Sequence, residues 1–334
     1  MGVKIAAISS YLPDFKYTNE DFYRDFPEAA REQLLKVGVQ ERHLAEKGET
    51  SSDLAVKAAE KLFSEHKIDR NSIDFLIYNA NEQDYFLPPT SCVVHERLGL
   101  QKSCGTIDFN HGCSAYVYGL GIAKGFITTS GVKRVLYLTS SVLTKRFHPK
   151  DKSSRYIFGD AASATLLEYD HHSDIGPFEY GTDGKGFDKI IVRDGYERYP
   201  IHENSFQENT DEFGNISSNG HFRMDGVSVF LFSVRTVPAM IQRLMEKSGL
   251  QPEAIDLYVF HQPNVFLNET IRKKAGIPED KFVHYMGLTG NTVQSTIPIA
   301  LEHCINTGRL QRGMTVLLAG FGVGLSWSAT VMRY

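Results

Sequence analysis

The stretch TIDFNHGCSAYVYGLGIAKGFITT, residues 106–129, shows a sharp change of pattern. Its first four residues read as an apolar strand, and residues 114–129 have the small and apolar spacing of a helix. The turn between them places Cys113 directly after Gly112 and at the start of the predicted helix. A strand, a tight turn and a helix in this order are typical of an α/β fold.

The same alternation continues on both sides of this stretch. We predict strands at residues 3–8, 74–78, 106–109, 135–139, 164–168, 257–260, 315–319 and 325–332, and helices at 52–66, 114–129, 227–248 and 292–305. The helix at 52–66 has a cap at Ser51 or Ser52 and one apolar stripe, formed by Leu54, Ala55, Ala58, Ala59, Leu62 and Phe63. The chain is therefore predicted to be α/β throughout.

Residues 170–220 break this pattern because they are rich in Gly, Asp, Asn, Ser and His, and they are predicted to form a long functional loop. We expect an N-terminal half at 1–170, a loop-rich insertion at 171–220 and a C-terminal half at 221–334. An internal similarity between residues 72–81 and 254–263 favours two related halves. Chance agreement between two buried strands is the alternative.

Composition limits the class of protein. With 334 residues and 42% apolar content, the chain exceeds the roughly 250 to 300 residues at which single cores stop growing. A net charge of −4 does not indicate nucleic acid or an anionic membrane as a partner. We predict no signal peptide and no membrane span, and hence a cytoplasmic protein whose four cysteines are reduced thiols.

Cys113 is the candidate nucleophile. Unpaired N–H groups at a helix start stabilise negative sulfur and can lower the pKa of a cysteine from about 8.5 toward 7 or below, so a thiolate is expected there. The alternative is that Cys113 is a small buried apolar residue, as most free cysteines are. Cys92 in a helical pattern, Cys104 in a turn and Cys304 inside a helix fit that alternative better.

Two later positions and one turn complete the chemistry. His261 ends the predicted strand 257–260, where α/β folds place groups that face ligands. Asn291 in GLTGNT precedes a helix and is either functional or an N-cap. The Gly-rich turn 320–328 lies between two strands, so close backbone approach to a substrate oxygen fits it better than dinucleotide binding. The remaining histidines lack metal-ligand spacing, and no metal is expected.

The motifs NHGCSA (110–115), FGDAASA (158–164), VFHQPN (259–264), GLTGNT (287–292) and GFGVGLSW (320–327) together resemble the β-ketoacyl-acyl carrier protein synthase III family. The resemblance extends over nearly the whole chain, from SYLPDFKYTNEDF near the N-terminus to the last strand. It implies a thiolase-like fold, in which two pseudo-duplicated halves form five αβαβα layers, usually as a homodimer. It also implies that Cys113, His261 and Asn291 are catalytic.

The implied reaction begins with transfer of an acyl group from a thioester to Cys113, whose oxyanion hole would comprise the N–H groups of Cys113 and Val323. Decarboxylative condensation with malonyl-acyl carrier protein would follow, with His261 and Asn291 donating hydrogen bonds to the malonyl thioester carbonyl. The expected substrates are thioesters of coenzyme A or acyl carrier protein, and no tightly bound cofactor is expected. Phe260 and Phe321 would be apolar walls, and Leu87 a further substrate contact.

Other positions depart from the family pattern. Glu32 and Lys36 stand where many family members have a Trp and an Arg near the coenzyme A adenine, and Lys152, with Arg155 nearby, replaces another Arg, so the family's coenzyme A contacts are not all retained. The candidate substrate contacts at these positions are Lys36, Lys152 and Arg155. A basic helix face is the candidate docking site for acyl carrier protein, and an ordinary solvated face is its alternative; its residues are Arg272, Lys273 and Lys274.

Several functions stay open at this point. The enzyme is expected to act in fatty-acid biosynthesis, or as a specialised condensing enzyme or acyltransferase for a secondary metabolite or surface polysaccharide. A hydroxymethylglutaryl-coenzyme A synthase-like enzyme is a further alternative, because Glu82 lies near the general-base glutamate of those relatives, although a surface-loop carboxylate is the commoner case. A catalytically silent scaffold would usually lack the nucleophile.

Overall fold

The computed structural model describes residues 2–29, 35–172 and 174–334. The α-helices with defined bounds are α1 (Asn19–Asp25), α2 (Ser51–His66), α3 (Thr90–Arg97), α4 (Ala115–Thr129), α5 (Gly226–Ser248), α6 (Val265–Lys274) and α7 (Thr296–Asn306). The strands are β1 (Gly2–Tyr11), β2 (Lys16–Thr18), β3 (Glu41–His43), β4 (Phe75–Asn79), β5 (Gly105–Phe109), β6 (Arg134–Ser141), β7 (Ala161–Asp170), β8 (Ile175–Thr182), β9 (Ile190–Val192), β10 (Asn209–Thr210), β11 (Ile216–Ser217), β12 (Phe222–Met224), β13 (Leu257–Phe260), β14 (Thr315–Gly322) and β15 (Ser326–Arg333).

Two large sheets repeat one arrangement. The first has the strand order β1-β7-β6-β4-β5 and the second β8-β15-β14-β13. In the first sheet β4 is parallel to β6, while β6 and β7, and β7 and β1, are antiparallel. In the second sheet β13 is parallel to β14, while β14 and β15, and β15 and β8, are antiparallel. The predicted similarity between 72–81 and 254–263 thus falls on β4 and β13, which hold equivalent places.

Helices cover both sheets and fill the space between them. A single core joins both sheets through α4 and α7, with Leu120 of α4 and Leu301 of α7 fully buried in it. Helix α2 packs its apolar stripe on the outer face of the first sheet, and α5 and α6 cover the second sheet. The result is the predicted thiolase-like α/β fold of five αβαβα layers.

The predicted elements are confirmed with small shifts at their ends. Helix α2 begins one residue earlier than predicted, because its N-cap is Thr50 rather than Ser51 or Ser52. Thr50 accepts a hydrogen bond from the Asp53 N–H, and the Asp53 carboxylate accepts one from the Thr50 N–H, which forms a complete capping box. Both serines instead lie inside the first turn and are buried.

The loop prediction for residues 170–220 was wrong at its beginning. Residues 175–182 form β8, which pairs with β15 at the edge of the second sheet. Its sequence, IGPFEYGT, contains Gly and Pro, which are tolerated in an edge strand because one side of that strand needs no ladder hydrogen bonds. From residue 183 to residue 220, the segment contains the short strands β9, β10 and β11 and a single 3-10 turn at Gly184–Gly186.

Helix α5 is long and apolar enough to meet the length and composition criteria for a membrane-spanning helix. Among the described residues it is the one helix that does so. Four of its residues are nevertheless buried against the second sheet: Val237, Met240, Ile241 and Leu244. This packed face accounts for part of its apolar character, because 28% of its apolar window is buried in the protein.

The site is assembled where three connections meet. The chain leaves β5 into α4, leaves β13 into α6, and approaches α7 through residues 287–295. Hydrogen bonds join residues 287–295 to the FGD motif of the first half. The Asn291 N–H donates to the Ile157 carbonyl at 2.8 Å, and the Gly159 N–H donates to the Asn291 carbonyl at 3.1 Å. A Cβ at Gly159 would lie 2.3 Å from the Thr289 carbonyl oxygen, so only glycine fits there.

Candidate active site

A cavity of about 920 Å³ brings the predicted catalytic residues together. Cys113, His261, Asn291, Phe321 and Val323 all line it, although they come from both halves of the chain. The three candidate catalytic side chains have 2 to 9% of their surface exposed. Electrostatic interactions among them therefore act in surroundings from which water is largely excluded.

The nucleophile lies between β5 and α4, as the sequence predicts. Three glycines let the β14–β15 turn approach it closely. A Cβ at Gly322 would lie 2.8 Å from Cys113 Sγ, and one at Gly320 would lie 2.8 Å from the Cys113 carbonyl oxygen. A Cβ at Gly112 would lie 2.4 Å from Val323 Cγ1. The backbone of the second half thus contacts the nucleophile without intervening side chains.

Burial opposes the thiolate that the start of a helix predicts for Cys113. Burial raises the pKa of the Cys113 thiol to about 11, although the N–H groups of Val323 and of Cys113 itself favour the ionised form. Burial prevails because no cationic side chain among the described residues contributes to stabilising the sulfur. The expectation of a lowered pKa was therefore wrong, since the start of a helix alone does not offset complete burial.

The same two N–H groups are the predicted oxyanion donors. The Val323 and Cys113 N–H groups both interact favourably with a negatively charged Cys113 sulfur. An acyl carbon bonded to this sulfur would place its oxygen next to them. Such backbone donors need no rearrangement when negative charge develops, which is how oxyanion holes lower a barrier.

His261 follows β13 directly and is almost completely buried. Its N–H donates to the Ala319 carbonyl at 2.8 Å, and its carbonyl accepts from Asn268 Nδ2 at 3.1 Å, so its backbone is fixed on both sides. Burial lowers the pKa of the imidazole to about 3, with the Val293 carbonyl acting weakly in the other direction. The ring is neutral at physiological pH.

A threonine fixes the position of the imidazole. His261 Nδ1 lies 2.7 Å from Thr296 Oγ1, which also lies 3.0 Å from the Val293 carbonyl oxygen. The threonine hydroxyl has one proton, which it donates either to that carbonyl or to Nδ1. In the first case Nδ1 carries the ring proton and Nε2 has a free lone pair, and in the second case Nε2 is the donor.

Asn291 is oriented by the same short segment. Its Oδ1 accepts a hydrogen bond from the Val293 N–H at 2.9 Å, which leaves the Nδ2 amide protons available to a ligand in the cavity. A cap-like interaction and a free donor therefore coexist in this side chain. The two interpretations left open by the sequence do not exclude each other.

Val293 links the two side chains. Its N–H holds Asn291, and its carbonyl accepts from the threonine beside His261. Its φ is +55°, a conformation that is unfavourable for a β-branched residue and costs about 1 to 3 kcal/mol. The strain occurs at the residue that orients two catalytic candidates, which is where such strain is typically retained.

Several predicted contacts lie elsewhere. Phe260 is fully buried against Phe282 in the core between the second sheet and its outer helices, because successive residues of β13 face opposite sides, so the wall prediction was wrong. Phe321 does line the cavity and meets the His261 ring edge-on at 5.8 Å. Leu87 has 76% of its surface exposed and lies outside the cavity of this chain, in an apolar surface loop after β4.

The predicted cationic contacts do not line the cavity either. Lys36 is exposed at the surface, and Glu32 lies outside the described residues. Lys152 lies 3.9 Å from Glu28, and the Arg155 guanidinium lies 5.8 Å from the centre of the Tyr17 ring. None of these three cations lines the cavity. Their assignment as substrate contacts is therefore not supported by the cavity of this chain.

The predicted docking face contains one residue that is unavailable. Arg272 has only 8% of its surface exposed because it forms two hydrogen bonds with Glu269, at 2.7 and 2.8 Å, and donates to the Ile277 carbonyl at 2.9 Å. Its inclusion was wrong, since it lies on the inner side of α6. Lys273 and Lys274 are exposed.

Several cavity residues have no distinctive signal in the sequence. Val293 and Thr296 differ from ordinary core residues only by their positions after Asn291. Glu82, interpreted as a surface-loop residue in the commoner case, lines the cavity with buried carboxylate oxygens. Arg146 also lines it. Within the described parts of the chain, no group of three or more His, Cys, Asp or Glu side chains is arranged to hold a metal ion.

Comparison with known proteins identifies similar sequences. A family model for 3-oxoacyl-[acyl-carrier-protein] synthase III matches residues 107–184, and its C-terminal counterpart matches residues 245–334. The chain is 30% identical over 332 residues to β-ketoacyl-[acyl-carrier-protein] synthase III 2 of Halalkalibacterium halodurans, covering 99% of this chain and 96% of the relative. Its identity to synthase III 2 of Staphylococcus epidermidis is 31% over 333 residues, covering 99% and 98%.

Solved structures agree with these matches. A 3-oxoacyl-(acyl-carrier-protein) synthase III crystal structure has a TM-score of 0.98 at 42% identity, with all of both chains covered. The 3-oxoacyl-(acyl-carrier protein) synthase of Burkholderia xenovorans has a TM-score of 0.90 at 32% identity, covering 99% of this chain and 94% of the other. The similarity therefore includes the whole fold.

Proposed function

The chain belongs to the β-ketoacyl-acyl carrier protein synthase III family, and on this premise we propose that it transfers an acyl group from a thioester to Cys113 and condenses it with malonyl-acyl carrier protein. The observation that supports this proposal is the shared cavity, in which Cys113 meets two backbone N–H donors, a neutral His261 and the free amide of Asn291. The product is a β-ketoacyl thioester, formed in the synthesis of fatty acids.

In the first half-reaction Cys113 loses its proton as it attacks the acyl thioester. The raised pKa of this thiol means that a base must take the proton during the attack. His261 can do so through Nε2 when its Nδ1–H donates to Thr296. The N–H groups of Cys113 and Val323 hold the tetrahedral oxyanion. The C–S bond to the donor then breaks, and the leaving thiolate takes the proton from His261.

In the second half-reaction malonyl thioester replaces the released thiol. Asn291 Nδ2 and His261 Nε2 donate hydrogen bonds to its thioester carbonyl, so the enolate formed as carbon dioxide leaves is stabilised. This role needs the other tautomer of His261, in which Thr296 donates to Nδ1. The carbanion then attacks the acyl carbon on Cys113, and the sulfur leaves as the new carbon–carbon bond completes the β-ketoacyl product.

A second candidate is a condensation that removes a proton from an acyl thioester rather than carbon dioxide from malonyl. Glu82 favours it, since burial raises the pKa of this carboxyl to about 7, which suits a general base. Release of carbon dioxide in step with product distinguishes the two reactions. A Glu82→Gln variant that still condenses malonyl thioester would exclude Glu82 as the required base.

Partners and organisation belong to the same proposal. We propose that coenzyme A and acyl carrier protein thioesters are both donors, that exposed Lys273 and Lys274 contact the acidic carrier, and that no cofactor is tightly bound. A homodimer is proposed because edge strand β5 and the exposed apolar loop 85–87 offer a surface for a second copy. We also propose that the protein is cytoplasmic. The division at 170 and 220 stays a proposal, with β8 assigned to the second sheet.

The test uses intact protein and a panel of acyl-coenzyme A and acyl-carrier thioesters. We expect mass to be added to Cys113, followed by carbon dioxide and a β-ketoacyl product when malonyl-acyl carrier protein is supplied. Acylation without loss of carbon dioxide from malonyl thioester would support a transferase instead. Failure of every donor to label Cys113 would contradict the proposed function.

A further inference from the structure

The end of the cavity formed by the connections after β4 and β6 has an unusual polar wall. Glu82 follows β4 and Arg146 follows β6, and these strands are parallel neighbours, so both connections emerge at the same edge of the sheet. Both residues line the main cavity and also a smaller cavity of about 280 Å³, which includes Lys145 and the chain before α2. The acyl cavity thus continues toward a polar chamber.

Glu82 has no hydrogen-bond partner for its carboxylate. Both oxygens are buried, and neither accepts a hydrogen bond of ordinary length and angle from the described residues, although the N–H groups of Glu82 and Val142 interact with the carboxylate. The backbone N–H groups of Glu82 and Val142 and the charge of Arg146 favour ionisation, but burial and the nearby Asp160 oppose it more strongly. A buried carboxyl group left in this condition is destabilising, and such a group is typically satisfied by a ligand or by water.

Arg146 is likewise available. Its side chain is exposed, and among the described residues it makes neither a hydrogen bond nor an ion pair. The adjacent Lys145 differs, because its ammonium group donates to the carbonyls of Glu46 and Glu49 and is thereby fixed. One carboxyl and one guanidinium therefore face the same space with unused hydrogen-bonding capacity.

Two other carboxylates of the cavity, Asp194 and Asp84, can be compared with Glu82. Neither oxygen of the buried Asp194 carboxylate accepts a hydrogen bond from the described residues, but His202 Nε2 lies 3.2 Å from Oδ2, within ion-pair distance. Asp84 beside Glu82 accepts from Ser52 at 2.6 Å. Asp84 thus has a hydrogen-bond partner and Asp194 an ion-pair contact, whereas the Glu82 carboxylate has neither among the residues described.

We propose that the acyl primer carries a hydroxyl group on its chain, which donates to Glu82 and accepts from Arg146. This inference rests on the proposed function, because the group must enter as part of the acyl chain on Cys113. A plain alkyl chain would bury Glu82 without a partner, whereas a hydroxyl satisfies both side chains at once because it is donor and acceptor. Glu82 and Arg146 would then determine specificity without taking part in bond formation.

The experiment measures the rate at which Cys113 is acylated by matched pairs of thioesters, one ω-hydroxylated and one unsubstituted, over a series of chain lengths. At the preferred length we expect the hydroxyacyl thioester to have a kcat/KM at least about tenfold higher, as one hydrogen bond to a charged group provides. Glu82→Leu should remove this preference and accelerate acylation by the unsubstituted chain.

Three further variants make the result decisive. Glu208→Gln is the matched control, since Glu208 pairs with Lys150 outside both cavities, and it should keep the wild-type preference. Glu82→Gln should retain part of the preference, because its amide oxygen still accepts, and it serves if the leucine variant fails to fold. Arg146→Met should weaken the preference without affecting condensation of the unsubstituted chain.

Other outcomes would contradict either the hydroxyl inference or the proposed function. Equal rates for both thioesters in the wild type, or a preference that survives Glu82→Leu, would overturn the inference while leaving the proposed function intact. Stronger selection for an amino- or carboxyl-terminated chain would overturn the hydroxyl assignment. Loss of condensation with every primer in Glu82→Gln would assign Glu82 to catalysis instead. Absence of acylation by any thioester would reject the proposed function itself.

Discussion

The two ends of the cavity are built differently. At the nucleophile end, the side chains are held by the protein itself: Cys113 faces two backbone N–H groups, His261 contacts Thr296, and Asn291 contacts Val293. At the other end, Glu82 and Arg146 make no such contacts with the described residues. Groups used in every turnover are fixed in advance, whereas groups that recognise a variable part of the substrate are left for the substrate to satisfy.

The largest effect is expected from removing the nucleophile. Cys113→Ala should reduce acyl transfer by about 10⁴-fold or more, because no other group forms the acyl-enzyme. Intact-protein mass spectrometry after incubation with an acyl thioester measures this directly. Cys92→Ala is the control, since Cys92 is exposed and remote from the cavity lining, and it should acylate normally. Acylation that persisted in Cys113→Ala would show that the fixed end was assigned to the wrong residue.

The close approach of backbone to the nucleophile can be disturbed by one methyl group. In Gly322→Ala the new Cβ would lie 2.8 Å from Cys113 Sγ, so the turn must shift and the Val323 donor with it. Loss of one oxyanion donor lowers kcat by about 10²- to 10³-fold. Gly125→Ala in α4 has no neighbour within 4 Å of the added carbon and should leave the rate unchanged. An unchanged rate in Gly322→Ala would exclude this turn from the oxyanion site.

Removing the hydroxyl that orients His261 should have a smaller effect on the rate. Thr296→Val removes the hydroxyl next to Nδ1, so the imidazole loses control of its tautomer and condensation should fall about tenfold. Thr296→Ser keeps the hydroxyl and should restore most of the rate. Separate measurement of Cys113 acylation and of carbon dioxide release assigns the loss to one half-reaction. Equal behaviour of the valine and serine variants would indicate that Thr296 only fills space.

The smallest effect concerns stability at the other end of the cavity. The pKa of Glu82 is raised from 4.5 to about 7, so the folded state binds its proton more tightly than the unfolded state does. Protonated Glu82 therefore contributes fully to the free energy of unfolding below about pH 4.5, and this contribution is lost as the pH rises to about 7. The Tm of the wild type should therefore decline relative to Glu82→Gln across this range, by a few degrees. A constant difference would show that Glu82 does not titrate there.

Most of the fold could be predicted from the sequence because helices and strands with a buried face show repeated patterns of apolar residues. Strand β13 was predicted with the observed bounds, and the apolar stripe of α2 is buried as expected. Strand β8 was missed because an edge strand with Gly and Pro has no buried apolar run. Whether a prediction succeeded thus depended on how much of an element packs into the core.

For the site, the motifs predicted which residues meet in one cavity but not their electrostatics. The high pKa of Cys113 results from burial by the β14–β15 turn, which is distant in sequence. Arg272 and Phe260 were misassigned because the side on which a residue faces depends on packing. Val293 could not have been identified, since its role arises from a backbone conformation that valine rarely adopts. Roles of single residues therefore required the three-dimensional structure.

The turn after β14 also has a consequence for protein synthesis. A ribosome makes Cys113 long before it makes Gly322 and Val323, and the turn that surrounds the sulfur belongs to the last two strands. A nascent chain therefore has a thiol without its oxyanion donor and without His261. Reaction with cellular thioesters is expected to begin only after the late part of the chain has folded onto the early part. Completion of the fold thus acts as the switch that turns the enzyme on.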